Sequence, residues 1–418
     1  MRYLLVEPDF PISAKSRNHK NFMPIGLLKI ASYLQSQNHN VKLIRGTPKT
    51  LEEIATIKRF KPDEIWITSL FSYWAKFVRD SVQFYKSIFP KSTVKVGGIY
   101  ASLLPIEEVK KYTGCDEVHQ GVIPEVEKYI ESFPPRYDLL RDINQNNIEF
   151  QIIHASRGCP RKCSFCGTWK IEPIFKPKES IIEEIHLPAV VFYDNNFLMN
   201  PYVNNILDEL ISLKRNGKIK WVESESGLDG RVLLKEPQLA HKIREAGFRY
   251  PRIAWDGGYD QSHQIKKQID TLKDAGYKSR DIYVFMLYNH NITFLDMEKK
   301  RICCWDWQTQ IADCRFRPLD QLFDNYNSRI IGQTSKDYFI SDGWNDALVK
   351  QFRKNVRRQN ICVRMGYTIY SQDAERKKIE KDNLKNLKNI NDADTKINYL
   401  KNLKVDWWDP KNITHYGF

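Results

Sequence analysis

The stretch Ser156–Trp169, SRGCPRKCSFCGTW, carries the pattern that decides the fold. It holds three of the eight cysteines of the chain, Cys159, Cys163 and Cys166. Three residues separate the first pair and two residues separate the second pair. Thiols grouped this closely, in a compartment that keeps cysteine reduced, favour metal or redox chemistry over disulfides. The stretch therefore predicts a metal centre.

The composition indicates a folded protein with more than one domain. The chain has 418 residues, 42% of them hydrophobic, and 10 tryptophans, enough for two or three domains with their own cores. Its first residues, MRYLLVEPDFPIS, contain only a short apolar run before acidic residues and a proline, which is typical of a strand and not of a signal peptide. No apolar stretch approaches the ~20 residues of a membrane-spanning helix. We therefore expect a cytoplasmic protein with no membrane partner.

The first part of the chain, residues 1–138, is predicted to be a doubly wound, Rossmann-like domain. Four strand-like runs, RYLLVEP, VKLIRG, EIWITSL and TVKVGG, alternate with helical runs such as IGLLKIASYLQSQ. Strands that alternate with helices favour parallel pairing, and the ligands of such sheets bind beyond the carboxyl ends of the strands. Gly97 and Gly98 stand at the end of the fourth run, where either a bare turn or the close approach of a large ligand explains the missing side chains.

The second part, residues 149–318, is predicted to be a partial (β/α)6 barrel of the TIM type. Six strand candidates alternate with helix candidates, namely IEFQIIHAS, AVVFYDN, IKWVESE, RIAWDG, DIYVFMLY and QTQIADCRF. Active-site residues of such barrels cluster at the carboxyl ends of the strands, and the three cysteines follow the first of these runs. The predicted fold class is therefore α/β.

The third part, residues 319–418, is predicted to be mostly helical and basic. Between Asp346 and Lys404 there are 15 lysines and arginines against 7 acidic residues, in a chain of net charge +14. A solvated helical face explains this excess, and so does an anionic partner such as RNA, DNA or a phosphorylated substrate. The stretch LKNLKNINDADTKINYLKNL has the spacing of an amphipathic helix that packs against the body of the protein.

Three kinds of site can use cysteines at the observed spacing. Three thiolates bind three irons of a four-iron cubane and leave the fourth iron open to a small molecule. A structural zinc site needs a fourth ligand and usually paired Cys-x2-Cys spacing, and His154 on the incoming strand lacks that pattern. Inert buried cysteines fit poorly beside Gly158, Pro160, Arg161 and Lys162. The cubane is the favoured interpretation.

The cysteine motif resembles that of the radical S-adenosylmethionine (radical SAM) superfamily, and Phe165 before the third cysteine fits the same pattern. The first part resembles the cobalamin-binding domain that precedes many radical SAM enzymes, on the stretches PIGLLKIASYLQSQNHNVKLI, VKVGGIYASLLPIEEV and CDEVHQGVIPEVEKYI. The resemblance implies a [4Fe–4S] cluster on Cys159, Cys163 and Cys166 whose open iron chelates S-adenosylmethionine (SAM). It further implies one-electron cleavage of SAM to methionine and a 5′-deoxyadenosyl radical that abstracts hydrogen, and a reductant protein of the flavodoxin or ferredoxin type.

The resemblance also places SAM-binding residues at the carboxyl ends of the barrel strands. In YDNNF, which stands where the family has a Gly-Gly-Glu-like segment, Asp194 would accept from the SAM ammonium. Glu223 and Glu225, two residues apart and therefore on one side of a strand, are candidates for the ribose hydroxyls or the ammonium. The other cofactor candidates at this rim are Phe165, Asn195, Asn196, Arg231 and Asp256, and the catalytic candidates are Tyr288 and Cys314, with His290 nearby.

The sequence leaves two alternatives for cobalamin. Pro24, Gly26, Gly97, Gly98 and Gly121 match loops of the cobalamin-binding family. However, the chain has no Asp-x-His-x-x-Gly motif for a lower axial histidine, and HQGVIPEVEKY replaces the usual Gly-Glu-Gly-Glu signature. With cobalamin, the relay of a SAM methyl group to a substrate carbon radical is the leading reaction. Without it, a rearrangement, a carbon–carbon coupling or another hydrogen abstraction is open.

Three further cysteines lie in RICCWDWQTQIADCRF. Cys303 and Cys304 are predicted to be buried thiols and not ligands of a second cluster, because adjacent side chains diverge along an extended chain. Cys314 alone is a candidate to face the substrate.

The sequence thus supports three functions. The first is a cobalamin-dependent radical SAM methyltransferase or a close variant. The second is a radical SAM enzyme that modifies a nucleic acid or nucleotide bound by the basic carboxyl-terminal region. The third is an iron–sulfur or zinc protein without catalysis.

Overall fold

The computed structural model describes residues 1–13, 16, 19–123, 135–140, 149–366, 370–371 and 407–408. The chain divides into two compact units. Unit 1 comprises Met1–Ser226 and Arg317–Asn325, and unit 2 comprises Gly227–Phe316 and Tyr326–Phe418. The domain bounds predicted from the sequence stay a prediction.

Unit 1 contains a five-stranded parallel sheet in the order β2-β1-β3-β4-β5. Its strands are β1 (Arg2–Glu7), β2 (Asn40–Arg45), β3 (Glu64–Ser69), β4 (Thr93–Gly98) and β5 (Glu117–Val118). The strand order reverses between β1 and β3, which opens a crevice at their carboxyl ends. The predicted doubly wound, parallel α/β character of this part is confirmed.

Helices connect the strands of this sheet. They are α1 (Ile25–Ser36), α2 (Leu51–Phe60), α3 (Ala75–Ile88), α4 (Ile99–Leu103) and α5 (Ile106–Thr113). The start of α2 is encoded locally, because Thr50 and Glu53 form a capping box. The Thr50 hydroxyl accepts from the Glu53 backbone N–H at 3.1 Å, and the Glu53 carboxylate accepts from the Thr50 N–H at 3.1 Å.

A second parallel sheet in unit 1 has the order β10-β9-β6. Its strands are β6 (Phe150–Ile153), β9 (Ala189–Phe192) and β10 (Trp221–Ser224). Between these strands in sequence lies a separate antiparallel pair, β7 (Ser156–Arg157) and β8 (Lys176–Pro177). The helices of this part are α6 (Thr168–Ile171) and α7 (Val203–Arg215). Leu5 of β1, Leu28 of α1, Ile152 of β6 and Val191 of β9 are fully buried in one apolar cluster. The two sheets of unit 1 therefore share a core.

Unit 2 contains a parallel sheet in the order β11-β12-β13. Its elements are α8 (Gly230–Lys235), α9 (Gln238–Glu245), β11 (Arg252–Ala254), α10 (Ser262–Asp274), β12 (Tyr283–Tyr288), α11 (Phe294–Asp306), β13 (Gln310–Arg315) and α12 (Asp346–Met365). All six strands predicted for residues 149–318 are present as parallel strands. Their closure into a partial barrel stays a prediction.

The segment that carries Cys303 and Cys304 is helical, so the extended chain expected there is wrong. The Thr293 hydroxyl accepts from the Asp296 N–H at 3.2 Å and begins α11, which then continues through both cysteines. Cys304 is fully buried, and burial raises the pKa of its thiol to about 12. That thiol is held in its neutral form.

The basic carboxyl-terminal region is described only as far as α12 and two short strands. Helix α12 buries Val349, Phe352 and Val356, and Arg358 of its basic segment is buried as well, so this segment does not lie wholly in solvent. The amphipathic helix predicted over residues 384–403 lies outside the described residues, while β14 (Tyr370–Ser371) pairs with β15 (Trp407–Trp408). In the described part of the chain, no helix combines the length and the apolar character that crossing a bilayer requires.

Candidate cofactor-binding site

The cysteine loop begins at a glycine that no other residue can replace without strain. Gly158 has a φ of +73°, and a Cβ added to it would lie 2.5 Å from the Ile174 carbonyl oxygen. Its N–H donates to Glu172 Oε2 at 2.6 Å, and the same carboxylate pairs with the Arg157 guanidinium. The tight turn therefore fixes where the loop leaves β7.

Backbone N–H donors point at the sulfurs of Cys159 and Cys166. Arg161 N–H donates to Cys159 Sγ at 3.4 Å, and Thr168 N–H donates to Cys166 Sγ at 3.5 Å. All three cysteines are half-buried thiols that form no disulfide within the described part of the chain. Hydrogen bonds to cysteine sulfur stabilise the thiolate form and tune the reduction potential of an iron–sulfur cluster.

The three cysteines suit an iron–sulfur cluster in which each sulfur binds a different iron. Among the residues that the structure describes, no three His, Cys, Asp or Glu side chains converge closely enough to hold a single metal ion. In a cubane, each cysteine sulfur ligates a different iron, so the sulfurs stand apart. Cys159, Cys163 and Cys166, on one half-exposed loop with N–H donors at two sulfurs, have the donor chemistry that this cluster requires.

Asp194 ties the end of β9 to the strand that leads into the cysteine loop. Its carboxylate accepts from the Ala155 N–H at 2.9 Å and from the Ser156 hydroxyl at 2.6 Å. The side chain is fully buried, and burial raises the pKa of the carboxyl to about 6 in spite of these hydrogen bonds. Asp194 thus links the end of β9 to the residues that lead into the cysteine loop. Its contact with SAM stays a prediction.

Asn195 is connected to the cysteine loop through one threonine. The Thr168 hydroxyl donates to Asn195 Oδ1 at 3.1 Å and accepts from the Cys166 thiol at 3.3 Å. Asn195 is exposed, the neighbouring Asn196 is buried and Phe165 is half-buried. The structure therefore brings the end of β9 to the cysteines, as expected if both face one cofactor.

Glu223 and Glu225 share one partner that the sequence did not reveal. Lys20, in the short helical turn Lys20–Phe22, pairs with Glu223 and lies 2.7 Å from Glu225 Oε1. The Glu223 side chain is only 2% exposed and that of Lys20 12%. The two carboxylates lie on the same side of the strand end, and an ammonium group is already held between them. No local sequence signal marks Lys20, because it is about 200 residues away from its partners.

A cavity of about 800 Å³ lies at the carboxyl ends of the first sheet. Its wall includes Glu7 at the end of β1 and Ser69 at the end of β3, as the strand order of the sheet requires. All five residues that the sequence proposed for cobalamin line it, namely Pro24, Gly26, Gly97, Gly98 and Gly121. On the side of the second sheet, the wall includes His154, Arg157 and Glu172. One cavity thus joins the first sheet to the base of the cysteine loop.

The glycines of this cavity have two different roles. Gly98 has a φ of +97°, and an added Cβ would lie 2.3 Å from the Ser69 carbonyl oxygen, so this glycine permits the close approach of β3 and β4. Gly26 is different, because an added Cβ would meet no atom within 4 Å. The missing side chain at Gly26 leaves space in the cavity wall. A large, mainly apolar cavity with a few polar groups is typical of a cofactor site.

Two histidines of the cavity wall were not assigned to a cofactor from the sequence. His119 Nε2 and His154 Nδ1 are buried and have no hydrogen-bond partner among the residues that the structure describes. Burial, followed by the charge of Arg157, holds the pKa of His154 well below its usual range, so its ring is neutral. The sequence signal that could have found His154 is its position directly after β6, at the carboxyl end of a strand.

The other predicted residues belong to unit 2 and follow its strands. Arg231 is exposed at the start of α8 and pairs with Asp229 at 2.9 Å. Tyr288, at the end of β12, is 1% exposed and packs against Phe352, with ring centroids 5.0 Å apart. Asp256 and Cys314 are exposed after β11 and on β13, and the His290 ring lies 4.1 Å from that of Phe316. Their roles stay predictions.

The chain is similar to three curated proteins at low identity, two of which illustrate the range. An uncharacterized methyltransferase of Pyrococcus horikoshii is 24% identical over 302 residues, which cover 59% of this chain and 63% of the relative. An anaerobic magnesium-protoporphyrin IX monomethyl ester cyclase of Rubrivivax gelatinosus is 20% identical over 404 residues, 79% of this chain and 71% of the relative. No protein-family model matches the chain.

Among solved structures, the chain is similar to the cobalamin-dependent S-adenosylmethionine radical enzyme OxsB with aqua-cobalamin bound. The TM-score is 0.51 at 16% identity, and the match covers 72% of this chain and 51% of OxsB. The chain therefore spans about half the length of OxsB and just under two thirds of the archaeal methyltransferase. The resemblance to radical SAM enzymes with an amino-terminal cobalamin-binding-like domain is confirmed at the level of the fold.

Proposed function

We propose that this chain is a radical SAM enzyme that holds a [4Fe–4S] cluster on Cys159, Cys163 and Cys166 and binds cobalamin in the cavity of unit 1. One observation carries the proposal: the five residues matched to cobalamin-binding loops line a single cavity whose wall also includes His154 and Arg157 at the base of the cysteine loop. The fold similarity to an enzyme whose structure contains aqua-cobalamin supports it. When bound, the cluster supplies the electron that cleaves the sulfonium of SAM.

The proposed reaction is the methylation of an unactivated carbon. One SAM accepts one electron and the hydrogen atom of a substrate C–H bond, and yields methionine and 5′-deoxyadenosine. A second SAM would supply the methyl group and yield S-adenosylhomocysteine, and a second electron would complete the balance. Bound cobalamin would supply the methyl-transfer chemistry. The similarity to the uncharacterized methyltransferase of Pyrococcus horikoshii supports methyl transfer.

The residues of the chain have distinct tasks in this proposal. Gly158 and Glu172 fix the start of the cysteine loop through a hydrogen bond. Asp194 holds the segment before the loop through the Ala155 N–H. Glu223 and Glu225 form a carboxylate pair that already accommodates the Lys20 ammonium, and this supports their use for a second ammonium, that of SAM. The remaining SAM and substrate contacts are proposed for Phe165, Asn195, Asn196, Arg231, Asp256, Tyr288 and Cys314.

The test is an anaerobic assay on the full chain. The protein is reconstituted with iron and sulfide, loaded with hydroxocobalamin, reduced and mixed with SAM, and 5′-deoxyadenosine and S-adenosylhomocysteine are measured. The control is the triple variant Cys159→Ala, Cys163→Ala and Cys166→Ala. We expect 5′-deoxyadenosine from the unmutated chain only. Failure of the unmutated chain to hold iron would refute the cluster, and failure to retain cobalamin would refute the methylation.

Two partners are also proposed. A flavodoxin or ferredoxin would supply the electrons, and RNA or DNA would bind the basic carboxyl-terminal region, which begins in α12. Nucleic-acid binding driven by phosphate contacts falls steeply with added salt. Affinity for a mixed RNA or DNA probe that is absent, or that does not change between low and high salt, would refute the second partner.

A further inference from the structure

A buried ammonium group in unit 2 holds the turn that follows β11. Lys300, in the middle of α11, is fully buried. Its Nζ donates to the Trp255 carbonyl oxygen at 2.8 Å and to the Gly257 carbonyl oxygen at 2.8 Å. The same Nζ lies 5.1 Å from the centroid of the Trp255 ring, within the range of a cation–π interaction. One side chain of α11 thus holds the backbone on both sides of Asp256.

The base of this turn is fixed by two further hydrogen bonds. The Trp255 N–H donates to the Phe285 carbonyl oxygen of β12 at 2.9 Å. The Trp255 ring is fully buried, and its Nε1–H donates to the Gly258 carbonyl oxygen at 2.9 Å. Asp256 lies between these held residues and is itself exposed. The turn therefore presents one carboxylate from a backbone that is fixed before and after it.

The charge of Lys300 indicates that this side chain acts on the turn and does not only fill space. Burial lowers the pKa of Lys300 to about 8, and the Asp256 carboxylate opposes this shift, so the group is an ammonium at pH 7. Removing an ammonium from water is costly, and an apolar side chain of the same length would fill the space without that cost. An apolar side chain could not donate to the two carbonyl oxygens, however. The ammonium therefore serves the geometry of the turn.

We propose that Lys300 is a positioning residue that holds the Asp256 carboxylate in place for its contact with SAM. This inference rests on the proposed function, in which Asp256 is a SAM contact. The hydrogen bonds to the carbonyls of Trp255 and Gly257 restrict the backbone of Asp256 in the free protein. A carboxylate that is held beforehand loses less conformational freedom when its ligand binds, so the ligand binds more tightly. Lys300 itself does not touch SAM in this role.

The test is a double-mutant cycle on SAM binding. Lys300→Met keeps the length of the side chain but removes the donor, and Asp256→Ala removes the carboxylate. The full-length chain with its reconstituted cluster, both single variants and the double variant are compared by anaerobic equilibrium dialysis with radiolabelled SAM. We expect the affinity for SAM to fall about tenfold in Asp256→Ala and about fivefold in Lys300→Met. The double variant is expected to bind SAM like Asp256→Ala, because Lys300 acts only through Asp256.

Two further variants separate positioning from stability. Met297→Ala removes another fully buried side chain of α11 and lowers stability, but it leaves the donor to the turn in place. We expect its SAM affinity to stay within about twofold of that of the unmutated chain. Lys300→Gln keeps N–H donors on a shorter, neutral side chain, so the cycle can be read even if circular dichroism shows that Lys300→Met does not fold. Its loss of affinity is likewise expected to vanish when Asp256 is alanine.

The outcomes distinguish this inference from the proposed function. Losses that add in the double variants, or a SAM affinity that neither substitution of Lys300 changes, would overturn the positioning role. Equal SAM affinity of Asp256→Ala and the unmutated chain would overturn the Asp256 contact and this inference, while formation of 5′-deoxyadenosine would leave the proposed enzyme standing. An unmutated chain that holds its cluster but neither binds SAM nor forms 5′-deoxyadenosine would overturn the proposed function itself.

Discussion

Substitution of Gly158 by alanine tests whether the tight turn before Cys159 holds the cysteine loop in place. At a φ of +73°, a residue with a side chain costs about 1–2 kcal/mol. The added Cβ would also lie 2.5 Å from the Ile174 carbonyl oxygen, where ordinary van der Waals contact begins at 3.4 Å. Forcing the two backbones about 0.9 Å apart adds about 1–3 kcal/mol of the kind measured for overpacked cores. We therefore expect Gly158→Ala to lower the free energy of unfolding by about 2–5 kcal/mol.

Gly217→Ala is the matched control for this substitution. Gly217 has a φ of +69°, nearly that of Gly158, but an added Cβ would meet no atom within 4 Å. Only the backbone penalty remains, so we expect a loss of about 1–2 kcal/mol. Urea unfolding of the cluster-free protein, followed by circular dichroism, measures both losses.

The same two variants separate stability from the cluster. After anaerobic reconstitution at a temperature where both variants are folded, we expect Gly158→Ala to retain less iron than Gly217→Ala. The reason is that the displaced turn moves Cys159 relative to the other two cysteines. Equal unfolding free energies for the two variants, together with equal iron content, would refute the reasoning.

Three further predictions concern the carboxylates and the cavity of unit 1. Lys20→Met leaves the buried Glu223 and the half-buried Glu225 without their shared cation. We expect the free energy of unfolding in urea at pH 7 to fall by about 3 kcal/mol, the lower end for a broken buried pair, and to be largely recovered in Lys20→Arg. An unchanged midpoint would show that the ion pair is dispensable. For Asp194, burial raises the pKa in the folded state to about 6, above its ordinary value of 3.8, so the folded state favours the protonated form. The stability that comes from this group is present below about pH 4 and is lost as the pH rises through 6. We expect the unmutated chain to lose about 3 kcal/mol relative to Asp194→Asn between pH 4 and pH 7, and parallel pH profiles would contradict a raised pKa. Gly26→Phe fills cavity space in which an added Cβ meets nothing within 4 Å. We expect the affinity for hydroxocobalamin to fall at least tenfold, while the free energy of unfolding changes by no more than about 1 kcal/mol. Retained affinity would place cobalamin elsewhere.

Local patterns in the sequence predicted the strands of three or more residues, but not the two-residue strands β5, β7 and β8. The apolar runs of the sequence are strands of the parallel sheets. The capping box of Thr50 and Glu53 begins α2. Parallel pairing followed from the alternation of strands with helices. The extended chain expected at Cys303 and Cys304 was wrong, because this stretch carries little periodicity. The cap at Thr293 begins a helix that continues through both cysteines.

The sequence by itself determined the family resemblance and the spacing of the candidate cluster ligands. The spacing of Cys159, Cys163 and Cys166 is a covalent property of the chain, and the glycines that match a cobalamin-binding domain mark positions where the backbone must turn or leave space. These features can be recognised without a structure because each depends on residues close together along the chain.

Tertiary structure decided which residues come together around the candidate site. Lys20 meets Glu223 and Glu225 only because the two sheets of unit 1 share a core, and the cavity joins loops from both of those sheets. The neutral state of the His154 ring depends on burial. Contacts between residues distant in sequence and the loss of water on burial are properties of the packed fold, so no local pattern encodes them.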